Sequence, residues 1–115
     1  MTPEPSKDRR IEKILQILER DPTKDVREVA GLLNLSTSRL EHLFKAQTGT
    51  RISDYLLECR LKRAAHLLKS TETRIKEITH VTGYSHSSSF SRAFKKRFAK
   101  SPDEYRQQIA AYAKR

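Results

Sequence analysis

Apolar residues recur along this 115-residue chain at helical steps of three and four. Ile11, Ile14, Leu15 and Leu18, with Ile17 at their edge, predict a first helix from about Asp8 to Arg20, ended by Asp21-Pro22. Asp25 and Glu28 have the spacing of a capping box, and Val26, Val29, Ala30 and Leu33 follow as a short second helix. Asn34 suits a left-handed C-cap, and Ser36 caps a third helix with Leu40, Leu43 and Phe44 inward, closed by Gly49. The longest pattern runs from about Ile52 to Leu68 or Lys69, either capped by Ser53 or starting a residue or two earlier. Leu57, Leu61, Ala64, Ala65 and Leu68 form one stripe of it, widened by Ile52, Leu56 and Cys59 or Arg60. Thr73 is the expected cap of a short fifth helix whose apolar set is Ile75, Ile78 and Val81. After Gly83 and the apolar anchor Tyr84, Ser85 caps a sixth helix carrying Phe90, Phe94 and Phe98 at i, i+4 and i+8. Ser101, Pro102 and Glu104 open a last helix that uses Tyr105 and Ile109.

Short helix, turn, second helix is the sequence form of a helix-turn-helix, and it occurs twice. Val26, Val29, Asn34, Leu35 and Ser36 match Ile75, Ile78, Gly83, Tyr84 and Ser85 at an offset of 49, whereas Leu40, Phe44 and Tyr55 match Phe90, Phe94 and Tyr105 at an offset of 50. The matched positions are core and cap; the intervening ones differ, as in two copies of one scaffold reading different base pairs. The expected fold class is therefore all-α, about seven helices, with two helix-turn-helix subdomains joined by a long central helix. The expected boundaries are an N-terminal tail 1–8, a first unit 9–50, a linker helix 51–70, a second unit 71–110 and a C-terminal tail 111–115.

Composition narrows the function. With 24 Lys and Arg against 14 Asp and Glu the formal charge is +10, which suits nucleic acid, an anionic membrane or an acidic protein. No apolar run is long enough for a membrane span, and MTPEPSKDRR has no secretory apolar segment, so a cytoplasmic location is expected. The single Cys59 excludes an internal disulfide and a multi-cysteine zinc site, and is read as a packed or half-packed thiol. His42, His66, His80 and His86 form no HxxxH or HExxH pair, and no glycine-rich phosphate loop occurs. An enzyme, a metal and a cofactor are not expected.

The two second helices carry the candidate chemistry. Outside the first core pattern stand Ser38, Glu41, His42 and Lys45; outside the second stand His86, Ser87, Ser88, Ser91, Arg92 and Lys95. The major groove admits one helix, and side chains near its N-terminal half reach base edges. Arg92 suits the O6 and N7 of guanine, His42 can donate to a guanine acceptor, and Glu41 can accept from the cytosine amino group. Glu41 alternatively pairs with Lys45 one turn on. Helix starts and hydroxyls hold phosphates, which singles out Ser36, Thr50, Arg51, Ser53, Ser85 and Ser101, with charge from Lys96, Arg97 and Lys100. Arg60, Lys62 and Arg63 are read either as a solvated face or as partly buried against the linker.

Ala64, Leu67, Leu68, Ile75, Glu77, Ile78, Gly83, Tyr84, Phe90, Arg92, Phe94, Lys95, Lys96, Ser101, Pro102, Tyr105 and Arg106 fall in a pattern that resembles the AraC/XylS family of transcription regulators. The resemblance extends from about Ile11 to Ile109. Thr79 stands where the family usually has a small apolar residue, and Ala99 where it usually has glycine. Threonine can bury its methyl if its hydroxyl bonds back to the preceding turn. The resemblance implies that Ser38, Glu41, His42, Ser87, Ser88 and Arg92 face bases, with Ser91 close to them. Thr37 and Arg39 lie near the backbone, and Lys45, His86, Lys95 and Lys96 complete the expected phosphate set.

The expected function is sequence-specific binding of double-stranded promoter DNA by a monomer, its two readers meeting successive major grooves about 34 Å apart. Family resemblance adds activation by contact with RNA polymerase. Members often join this module to a ligand-binding or dimerisation domain. This chain is read either as a stand-alone regulator or as the DNA-binding part of a larger ligand-responsive one, with no small-molecule effector expected within it. Two other classes remain in view: a basic helical RNA-binding protein and a protein-interaction module.

Overall fold

The computed structural model describes residues 9–113. The expected N-terminal tail and the last two residues, 114–115, lie outside the described residues; the final helix runs through Ala111 and Tyr112 to Ala113, beyond the expected start of the C-terminal tail. The described chain is all helix and turn, in the order α1 (Arg9–Arg20), α2 (Val26–Leu32), α3 (Thr37–Thr48), α4 (Ile52–Ser70), α5 (Ile75–Val81), α6 (Ser87–Phe98) and α7 (Pro102–Ala113). Two compact units divide it, Met1–Cys59 and Arg60–Arg115, so the boundary falls inside the continuous helix α4.

In the first unit the α1 stripe Ile11, Ile14 and Leu18 packs with Val29 and Ala30 of α2, Leu40 and Phe44 of α3, and Ile52 and Leu56 of α4. Asp25 and Glu28 close a reciprocal capping box: the Glu28 backbone N–H donates to Asp25 Oδ1 at 2.8 Å, and the Asp25 N–H to Glu28 Oε1 at 3.4 Å. Tyr55 lies against Phe44, ring centroids 5.6 Å apart, and its hydroxyl donates to Glu19 at 3.3 Å. Burial first, then Cys59 and Glu19, pushes the Tyr55 hydroxyl well above the ordinary tyrosine range.

The second unit repeats the plan. Leu61, Ala64 and Leu68 of α4 pack with Ile78 of α5 and with Phe90 and Phe94 of α6. Phe94 sits among rings, 5.8 Å from Phe90, 4.6 Å from Phe98 and 5.3 Å from Tyr105. Ser101 and Glu104 form the second capping box, with N–H donors at 3.2 and 3.0 Å. Arg106 reaches back from α7 to the end of α4, donating to the carbonyls of Leu68 at 3.3 Å, Leu67 at 3.5 Å and Thr71 at 3.1 Å. Leu67 and Leu68 lie in the last turn of α4, where carbonyls lack partners within the helix, and Thr71 is the residue just past its end.

Several expectations need correction. Leu57 is 39 % exposed, not part of the buried stripe. The stripe shifts along α4: Ile52 and Leu56 serve the first core, and the second core begins only at Leu61, one turn beyond Leu57. Val81 is 48 % exposed, and Thr79 and Thr82 are buried in its place. Both hydroxyls bond to the preceding turn, Thr79 to the Ile75 carbonyl at 2.9 Å and Thr82 to that of Ile78 at 2.8 Å, so each side chain enters the core with its polar atom satisfied. Of the two readings of the α4 start, the earlier one holds: the helix begins at Ile52, and Ser53 lies within its first turn rather than capping it. Nor does Thr73 cap α5. Arg74 holds that position without a side-chain bond, while the Thr73 N–H donates to Thr71 Oγ1 at 3.2 Å.

Candidate nucleic-acid interface

In the first unit the chain leaves α2 through Leu33, turns at Asn34 with φ +57°, and returns the Leu35 N–H to the Ala30 carbonyl at 2.9 Å. Asparagine tolerates this left-handed conformation better than most residues. The Ser36 hydroxyl then accepts the Arg39 backbone N–H at 3.1 Å and starts α3. With Leu40 and Phe44 buried beneath, Thr37, Ser38, Arg39, Glu41, His42 and Lys45 are all exposed. One cleft brings Glu41, His42 and Lys45 together with Arg51, Ile52 and Ser53 at the start of α4. Thr50, also exposed, stands in the turn leading into it. Arg10, Arg39 and His42 line a second hollow, floored by Leu35, Leu43 and Ala46. Arg10 was not anticipated; its only signal in the sequence is the Arg9-Arg10 pair at the start of α1. Among the described residues no ion pair joins Glu41 to Lys45, so the carboxylate stands on the outer face without the partner that helical spacing offered it.

The second unit makes the same turn with glycine, Gly83 at φ +90°, and the Tyr84 N–H donates to the Thr79 carbonyl at 3.0 Å. A side chain on Gly83 would meet Arg60: its Cβ would lie 3.1 Å from Nε and 3.3 Å from Nη2 of that guanidinium. Arg60 thus packs over the turn from α4, rather than forming part of a purely solvated basic run. Burial raises the Tyr84 hydroxyl above its usual range, and the Arg60 charge opposes the shift.

Ser85 does not cap α6. The N-cap is His86, without a side-chain bond. The offset explains this: α2 and α5 correspond at 49, α3 and α6 at 50, so His86 takes the place of Ser36 and Ser85 is the additional residue of the turn. Beyond the cap, Ser87, Ser88, Arg92, Lys95 and Lys96 are exposed, as are Ser85 and His86, whereas Ser91 is half-buried. Ser101 is half-buried and engaged in the α7 cap. The two reading candidates also end alike. Gly49 at φ +78° and Ala99 at φ +67° each return an N–H, to the carbonyls of Lys45 and Lys95 at 2.8 and 2.7 Å.

Each unit therefore holds an exposed, polar, two-to-three-turn face over a buried apolar core, entered through a fixed turn. Arg92 and His42 each stand on such a face near its middle, in reach of whatever the helix lies against. Among the described residues no cluster of His, Cys, Asp and Glu is placed to hold a metal, and no helix is long and apolar enough to cross a membrane.

The helix-turn-helix domain family matches residues 29–108. The Msm operon regulatory protein of Streptococcus mutans is 42 % identical over 84 residues, which cover 73 % of this chain and 30 % of that protein. The chain thus spans less than a third of the curated relatives of this kind. The C-terminal domain of AraT, a response regulator from Geobacillus stearothermophilus, superposes with a TM-score of 0.82 at 31 % identity, covering 90 % of this chain and 88 % of that one. A transcriptional regulator from Chromobacterium violaceum, described by its AraC-type DNA-binding domain, superposes at 0.77 with 32 % identity over 89 % and 93 % of the two chains.

Proposed function

Because the chain belongs to the AraC-type family of helix-turn-helix DNA-binding domains, we propose that it binds double-stranded promoter DNA sequence-specifically and regulates transcription. The observation that carries this reading is the doubled scaffold: α3 and α6 each present polar, uncovered side chains above a buried core, anchored by Phe44 in the first and by Phe90 and Phe94 in the second. Ser38, Glu41 and His42 read bases from α3; Ser87, Ser88, Ser91 and Arg92 read them from α6. Arg92 is the strongest of these, through bidentate donation to guanine, and the serines read at short range or through water.

Phosphate contacts surround both readers. The first set is Ser36, Thr37, Arg39, Lys45, Thr50, Arg51 and Ser53. Their support is that Lys45, Arg51 and Ser53 line one cleft with Glu41 and His42. The second set is Ser85, His86, Lys95, Lys96 and Ser101. Here Ser85 acts as a turn hydroxyl, not as a cap.

One monomer supplies both readers, and its site is one asymmetric stretch of about 15 to 20 base pairs. Footprinting with mass measurement of the complex tests this; an obligatory dimer on a two-fold symmetric site refutes it. Tighter binding of folded RNA than of selected duplex in a competition titration refutes the DNA reading altogether. The bound module activates through RNA polymerase. Single-round transcription from a bound promoter tests that step, and loss of transcript on adding the protein overturns it.

A further inference from the structure

The +10 charge of the chain is not shared between its units. Met1–Cys59 holds 10 Lys and Arg against 10 Asp and Glu and is formally neutral; Arg60–Arg115 holds 14 against 4 and carries the whole +10. The reading candidates follow the same division. α6 bears Arg92, Lys95, Lys96 and Arg97 and no acid, while α3 bears Arg39 and Lys45 with Glu41 between them. Glu41 is exposed, unpaired with Lys45, and shares its cleft with Arg51 and Ser53, where a phosphate strand is expected to pass.

Sequence-independent affinity for duplex comes almost entirely from cations that displace condensed counterions. A unit whose cations are matched one for one by acids gains less of it than a unit with ten in excess. A carboxylate on the reading face also loses its hydration on entering a groove and regains the energy only opposite an amino donor such as that of cytosine. We propose that the two units divide the work: the second supplies the affinity for duplex of any sequence, in addition to its reading through Arg92, and the first seats α3 only on matched base pairs, with Glu41 excluding it from unmatched DNA. This rests on the DNA-binding reading above and adds to it an order of engagement and a residue that enforces it.

The test uses the full chain, by fluorescence anisotropy over a salt series. One probe is a duplex that the chain selects from a random library; the other has the same composition in scrambled order. The variants are Lys95→Gln with Lys96→Gln, Arg39→Gln with Lys45→Gln, and Glu41→Gln, all at exposed positions. On scrambled duplex the Lys95/Lys96 pair is expected to lower the salt slope by about two, and the Arg39/Lys45 pair to leave it unchanged. On selected duplex both pairs lower it. Glu41→Gln is expected to tighten scrambled duplex by about 5-fold or more, the low end of what one base contact discriminates, and so to narrow the preference for the selected one.

Equal loss of slope from both pairs on scrambled duplex overturns the division of work. Unchanged or weaker scrambled binding by Glu41→Gln overturns its excluding role. If the unaltered chain binds neither duplex at low salt, the DNA reading itself falls, a result distinct from both. Thermal denaturation of each variant at the unaltered midpoint ties these readouts to charge, since a folding defect would lower the midpoint and the affinity at every salt concentration.

Discussion

Ala99 ends α6 at φ +67°, where an L-residue bears a cost that glycine does not. Its counterpart Gly49 ends α3 at φ +78°. The left-handed conformation costs a residue with a Cβ roughly 1 to 2 kcal/mol. Glycine gives back roughly 0.4 to 1 kcal/mol through the greater freedom of the unfolded chain. Ala99→Gly is therefore expected to stabilise the second unit by about 0.5 to 1 kcal/mol. For a unit of this size that raises its midpoint by about 2 to 8 °C. Gly49→Ala is the reverse experiment. A Cβ there meets nothing within 4 Å, so only the backbone term acts and a loss of about the same size, 0.5 to 1 kcal/mol, is expected. Gly83→Ala should cost the most of the three. Its φ of +90° lies well outside the left-handed well near +57°, and the new Cβ presses on the Arg60 guanidinium. Urea and thermal denaturation followed by far-UV circular dichroism measure all three. If Ala99→Gly is neutral or destabilising while Gly49→Ala is destabilising, the two helix ends are not equivalent and the strain assigned to Ala99 is absent.

Phe94→Ala removes a fully buried ring packed against three others and is expected to cost about 3 to 5 kcal/mol in chemical denaturation; a loss below about 1 kcal/mol contradicts the packing. Arg92→Ala should lose about 1 to 3 kcal/mol on selected duplex and relax preference at one or two base pairs. Lys96→Ala should instead weaken selected and scrambled duplex by similar factors and reduce the salt slope by about one. Equal weakening of both duplexes by Arg92→Ala, with preference intact, would make it a phosphate clamp. Glu104 accepts the Ser101 N–H, which holds its carboxyl below the ordinary 4.5, with Lys95 and Lys100 adding to the shift. A depressed carboxylate stabilises the fold above its unfolded pKa, and that contribution is lost as pH falls through the folded one. Glu104→Gln should therefore flatten the stability profile below about pH 4.5 and leave its shape near neutrality unchanged; an unaltered acid limb refutes the assignment.

The long regularities were legible in sequence, and the short or interrupted ones were not. The Phe90-Phe94 ridge and both capping boxes repeat a spacing that physical contact requires, and the structure has them. Val81 misled because α5 is only seven residues long, too short for periodicity to fix its rotation. Thr82 went unseen because a buried threonine looks polar until its hydroxyl is known to bond back into its own helix. Ser85 looked like the cap because a serine aligned with Ser36, while the extra residue of the turn moved the helix start to His86. The uneven charge was present in the sequence but hidden by the total. Seeing it needs the unit boundary, and that boundary lies inside α4 with no glycine or proline to mark it.

Arg106 joins carbonyls that lie 35 to 39 residues earlier in the chain. Between its two ends lie all of α5 and α6. One guanidinium therefore closes a loop of that length without a covalent bond, at the neck of the segment that carries the second reader. Closing a long loop is slow to be rewarded, because the chain loses entropy before the ends meet. The neck is expected to form late in refolding and to open early under force or protease. The resistance of the second unit to opening is then expected to depend on three hydrogen bonds at its base, none of them made by α6.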